Sequence, residues 1–138
     1  LVNVNERLLS LNQLAHTYMQ SRNDTYVMEL AIQYIRRNYP KPITLAMVSN
    51  EVSLNYAYFS AMFSKYTGKT FSEYLRNTRM EKAKELLRQP DISIAEVAAK
   101  VGYENYKSFY RAFKDAVGTT PVEYQQKKYI IHREDEKQ

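Results

Sequence analysis

Between residues 93 and 124 the apolar positions form two helical stripes separated by a turn. Ile94, Val97, Ala98 and Val101 recur every three or four residues and predict the buried side of a short helix. Ser93 and Glu96 in the order Ser-x-x-Glu make a capping box, which satisfies two orphan N–H groups at its start. Gly102 ends it where the chain can pass through a left-handed conformation. Asn105 then caps a second helix, 105–117, with Phe109 and Phe113 inside and Lys107, Ser108, Arg111 and Lys114 left to solvent. Gly118 closes that helix, and Thr120-Pro121-Val122-Glu123 supplies the next cap, first-position proline and third-position glutamate. A short helix, a glycine turn and a helix with a polar, basic face make the helix-turn-helix pattern.

The pattern occurs twice. Residues 43–54 align with 92–103, and 55–74 with 105–124, with Glu104 as a one-residue insertion. Ile43/Ile92, Val48/Val97, Asn55/Asn105, Tyr56/Tyr106, Phe59/Phe109, Phe63/Phe113, Gly68/Gly118, Thr70/Thr120, Glu73/Glu123 and Tyr74/Tyr124 then coincide. Matches fall on core, cap and turn positions, whereas exposed positions differ, as expected of one scaffold presenting two surfaces. In the first copy Thr44 caps the short helix and Asn55 caps a helix over 55–66.

The rest of the chain fits around this repeat. Leu1, Val4, Leu8, Leu11, Ala15 and Tyr18 form an a/d seam of not quite three heptads. A linker helix pairing two protomers and a helix packed on its own or an absent domain both fit it. Asn23 or Asp24 can cap the next helix, whose inward side is expected to be Val27, Leu30, Ala31, Tyr34 and Ile35, and which stops before Pro40 and Pro42. From the capping box Thr70-Phe71-Ser72-Glu73 a long helix should run to about Gln89, with Phe71, Tyr74, Leu75, Thr78, Ala83, Leu86 and Leu87 as its stripe. Its other face mixes Arg76, Arg79, Lys82, Lys84 and Arg88 with Glu81 and Glu85. The expected division is 1–22 linker or coiled-coil helix, 23–69 first helix-turn-helix subdomain, 70–89 connecting helix, 90–126 second subdomain and 127–138 charged tail.

Ile94-Ala95-Glu96-Val97-Ala98, Val101-Gly102-Tyr103, Phe109, Phe113-Lys114, Gly118-Thr119-Thr120-Pro121 and Glu123-Tyr124 resemble the DNA-binding domain of the AraC/XylS family of bacterial transcription regulators. Tyr74-Leu75, Arg79 and Ala83-Lys84-Glu85-Leu86-Leu87 extend the resemblance, which covers roughly residues 26–124. It implies an all-α fold of two helix-turn-helix subdomains joined by a long central helix, with both recognition helices facing one side of a duplex. Carried over to the second copy, the base-reading positions are Tyr106, Lys107, Ser108 and Arg111. Arg111 is the first choice because its planar fork suits guanine O6 and N7. The first copy offers Tyr56, Ala57, Tyr58, Ser60 and Ala61, with Ala61 where the second has Arg111. Such a helix either reads thymine methyls through its alanines, with the Tyr58 hydroxyl as a polar contact, or mainly positions the domain. Phosphate contacts are expected from Thr44, Asn55, Ser93 and Asn105 at helix starts and from Lys65, Lys69 and Lys114. Arg79 suits either a structural ion pair or a phosphate contact.

Composition changes this picture little. Net charge is +5, and residues 26–124 hold fourteen Lys/Arg against ten Asp/Glu, a balance that suits a phosphate backbone. Cysteine is absent, so disulfides and thiolate metal sites are excluded. His16 and His132 stand in opposite terminal segments, there is no glycine-rich phosphate loop, and an enzyme is not expected, nor a cofactor. No apolar run reaches the length of a membrane span. A start at Leu1 is the expected sign of a fragment, and a bacterial cytoplasmic location follows from the resemblance. Expected partners are double-stranded DNA, RNA polymerase, and a second copy paired through 1–20 or through a missing N-terminal domain. The rival reading is a helical protein-interaction module whose groove faces are inert.

Overall fold

The computed structural model describes residues 23–127, and the heptad seam, both histidines and residues 128–138 lie outside them. Among the described residues the fold is all-α, with seven helices. They are α1 (23–38), α2 (Leu45–Glu51), α3 (Tyr56–Thr67), α4 (Phe71–Leu87), α5 (Ile94–Lys100), α6 (Tyr106–Val117) and α7 (121–127).

Helix starts are set locally. Thr44 accepts a hydrogen bond from Met47 N at 3.2 Å, and Ser93 from Glu96 N at 3.1 Å. Asn55 accepts from Ala57 N and Tyr58 N, and Asn105 from Lys107 N at 2.8 Å. At α7 the capping box closes in both directions: Glu123 N donates to Thr120 Oγ1 and Thr120 N donates to Glu123 Oε2. Gly68 and Gly118 end α3 and α6 at φ 74° and 91°.

Each copy closes over its own core. In the first, Met28, Ala31 and Ile35 of α1 meet Ile43, Val48, Phe59, Phe63, Phe71 and Leu75. In the second, Met80, Ala83 and Leu87 meet Ile92, Val97, Ala98, Val101, Phe109 and Phe113. The aromatic geometry repeats as well. Phe59–Phe63 and Phe109–Phe113 centroids are 5.7 and 5.8 Å apart, and Tyr74 and Tyr124 meet Phe63 and Phe113 edge-on. On α1, Leu30 is 38% exposed, contrary to its expected inward position, while Met28 is fully buried. Ala31 and Ile35 are three and seven residues from Met28, so the helical period admits 28-31-35 as readily as 27-30-34. Packing against Phe59 and Phe63 selects the former. Asn23 and Asp24 lie inside α1 rather than before it.

Helix α4 joins the halves by giving Phe71 and Leu75 to the first core and Met80, Ala83 and Leu87 to the second. It ends at Leu87, two residues short of the expected Gln89. Lys82–Glu85 and Lys84–Glu81 pair at 3.0 Å on its outer face, as the i,i+3 spacing predicts. Tyr39 packs against both cores. Arg79 forms no ion pair among the described residues. Its Nε donates to Tyr39 O at 2.8 Å and its Nη2 to Lys41 O at 3.0 Å, and the guanidinium lies 5.5 Å from the Tyr103 ring centroid. A counterpart holds the second half: Gln125 Nε2 donates to Gln89 O and Ile92 O. In each copy, then, a side chain on the helix after α3 or α6 ties down the loop before α2 or α5.

Candidate nucleic-acid interface

Helix α6 sorts its side chains sharply because Phe109 and Phe113 must fill the second core. Both are fully buried. That rotation leaves Tyr106, Lys107, Ser108 and Arg111 exposed, together on the outward side of the helix near its N-terminus. Arg111 and the Lys107 ammonium make no ion pair among the described residues. Two cationic side chains therefore stand free at the end of a helix where a groove-binding helix presents its readers.

Helix α3 has the same rotation and a different surface. Phe59 and Phe63 are buried; Tyr56, Ala57, Tyr58 and Ala61 are exposed, and Ser60 is half-buried. The Tyr58 hydroxyl donates to both carboxylate oxygens of Asp24 at 3.3 Å. This contact ties α3 to the start of α1, and nothing in the sequence pattern points to it, since the partners lie 34 positions apart.

Of the phosphate candidates, Thr44, Asn55, Ser93 and Asn105 are exposed at helix starts, where their side-chain oxygens accept from the capped amides. Lys65 and Lys114 are exposed in the last turns of α3 and α6, about 15 Å along the axis from the Asn caps. There they also complement the helix dipoles. Lys69 is exposed just beyond α3.

Two arginines outside the expected reading set lie between the halves. Arg79 is held as described above. Arg76, one position outside the α4 stripe, is exposed and pairs with no carboxylate. Tyr103 stands beside them, its phenol pushed up by burial and partly offset by Arg79, so it is a neutral hydroxyl at pH 7. The available signal for Arg76 is its charge on a helix whose neighbouring lysines have glutamates in reach. No cluster of metal ligands occurs among the described residues, and no helix there is long and apolar enough to cross a membrane.

Comparison with known proteins identifies the fold and its family. A family profile described as a helix-turn-helix domain matches residues 48–127. The regulatory protein PocR of Salmonella typhimurium is 34% identical over 99 residues, covering 72% of this chain and 33% of that protein. The transposon Tn10 TetD protein of Escherichia coli is 31% identical over 117 residues, covering 85% of each. The solved C-terminal domain of AraT, a response regulator from Geobacillus stearothermophilus, superposes with a TM-score of 0.70 at 34% identity, covering 73% of this chain and 84% of that one. Three of the curated relatives are much longer, the chain spanning 13%, 33% and 36% of their lengths.

Proposed function

The chain belongs to the AraC/XylS family of helix-turn-helix transcription regulators, and from that premise we propose that it binds double-stranded DNA in a sequence-specific manner. Helices 55–66 and 105–117 enter successive major grooves, about 34 Å apart along one face of the duplex. Arg111 and Lys107 are the principal base readers, with Tyr106 and Ser108 beside them. Tyr56, Ala57, Ser60 and Ala61 make a shallower contact through the first helix, and Tyr58 supports it from Asp24. Thr44, Asn55, Ser93, Asn105, Lys65, Lys69 and Lys114 meet phosphates, setting affinity rather than sequence preference. The observation that carries this reading is the unpaired, exposed Arg111 and Lys107 on a helix whose other side is locked by two buried phenylalanines.

The subdomain division 23–69, 70–89 and 90–126 belongs to the same reading, with 1–22 as a linker and 127–138 as a tail. So do a non-enzymatic role, a bacterial cytoplasmic location, contact with RNA polymerase and pairing of two copies. The test is an anisotropy titration against a randomised duplex pool at two salt concentrations, followed by sequencing of the retained DNA. A two-part motif spaced by about one helical turn, with affinity weakened by salt, is the expected result. No retention at low salt would remove DNA binding and leave the protein-interaction module in its place.

A further inference from the structure

The first half and α4 line an open cleft of about 570 Å³, whose wall includes Thr44, Tyr56, Ser60, Arg76 and Arg79, with Tyr103 at its edge from the second half. Its lining contains no aspartate or glutamate. A neighbouring cleft of similar volume, around Gly102, includes Glu104. The first is therefore the one that favours an anion. Arg79 has given two of its donors to Tyr39 O and Lys41 O, which fixes its charge in the wall. Arg76 has given none, so its whole fork is available to a ligand. The cleft also shares Tyr56 with the exposed start of α3 and Thr44 with the start of α2, so a duplex lying on α3 passes its mouth.

We propose that this cleft holds a backbone phosphodiester of the bound duplex, at the stretch between the two major grooves, with Arg76 as its direct contact and Arg79 as a fixed background charge. The proposal rests on the DNA reading above and adds to it an anchor on the connecting helix. A contact of this kind contributes to every sequence equally and to none preferentially. It also fixes where the duplex lies relative to α3 and α6, because Arg76 stands on the helix that joins their two cores.

The test compares wild type, Arg76→Gln and Arg76→Lys on the duplex retained from the pool, across salt concentrations. Removing one phosphate contact lowers the slope of log affinity against log salt by about 0.9. Between about 50 and 200 mM salt the loss of affinity in Arg76→Gln should accordingly be about 3.5-fold smaller than in wild type. Arg76→Lys should keep the wild-type slope, and the motif selected by all three should be the same. One methylphosphonate linkage placed between the half-motifs should give wild type the Arg76→Gln slope and leave Arg76→Gln unaffected. An unchanged slope in Arg76→Gln, with wild type still bound to its motif, overturns this assignment alone. Failure of wild type to bind any duplex overturns it together with the DNA reading. A third arm titrates inorganic phosphate by NMR: saturation that depends on Arg76, with the DNA slope unmoved, would make the cleft a small-phosphate site and overturn the duplex assignment.

Discussion

Ser53 turns the chain at φ 57° in the first copy, and Gly102 turns it at φ 102° in the second. The following amides make the same closure, Leu54 N to Ser49 O and Tyr103 N to Ala98 O, both at 2.9 Å. What differs is the space outside the turn. A Cβ on Gly102 would lie 2.8 Å from Pro40 O and 3.1 Å from two further backbone atoms of Pro40, none of which can swing aside. At Gly68 a Cβ would meet nothing within 4 Å, so only the left-handed backbone opposes substitution there. Gly68→Ala should cost about 1 kcal/mol, whereas Gly102→Ala, which adds a backbone clash to the strain, should cost about 2–4 kcal/mol. Ser53→Gly should change stability by less than about 0.5 kcal/mol, since relief of strain is offset by a more flexible unfolded chain. Urea denaturation of the three variants checks the order; equal losses at Gly68 and Gly102 would remove the role assigned to Pro40. The same scale governs base reading. Arg111→Ala should weaken binding to the selected motif by about 1–3 kcal/mol and relax preference at one base pair. Competition against single-base variants of the motif measures this, and a uniform loss across all of them would reassign Arg111 to phosphate.

At the scale of elements, α4 is held to its surroundings by Arg79 on one side and Gln125 of α7 reaches the loop at its far end. Hydrogen bonds from a charged donor contribute more than neutral ones. Arg79→Ala should therefore destabilise by about 2–3 kcal/mol, more than Gln125→Ala at about 1 kcal/mol. Thermal or urea unfolding reads both, and equality of the two would mean that the charge on Arg79 adds nothing at these carbonyls. These contacts also show what was legible beforehand. The caps at Thr44, Asn55, Thr70, Ser93 and Asn105, the glycine ends and the paired phenylalanines were all readable, because each follows from residues within one or two turns. The outward placement of Tyr106, Lys107, Ser108 and Arg111 was readable for the same reason. Arg79 was not, since its acceptors are main-chain carbonyls about forty positions away and carry no side-chain signature. Nor was the choice of Met28 over Leu30, which the helical period allows equally and which the facing aromatic rings decide.

At the scale of the molecule, α3 and α6 are coupled through a structure with little freedom to twist. A single helix of seventeen residues, about 25 Å long, contributes to both cores, with no proline and no glycine inside it. Tyr39 packs on both cores, and Arg79 binds the loop that carries Tyr39 while stacking near Tyr103 of the other half. Reorienting α3 against α6 would therefore break core packing, two hydrogen bonds and a cation–π contact together. A protein built this way should be strict about the spacing of its two half-motifs. Adding or removing about 5 bp rotates one half-motif to the opposite face of the duplex, given about 10.5 bp per turn. Affinity for such a duplex should fall to that of a duplex carrying only one half-motif, and it should recover only if the duplex itself bends or untwists. Changing the spacing by a single base pair should give an intermediate loss, because the rotation is then small enough for the DNA to absorb. Titration over a series of spacer lengths reads this directly, as a periodic rise and fall of affinity. A flat response across spacers would mean that α3 contributes no base contact, leaving α6 as the sole reader and the first half as its support.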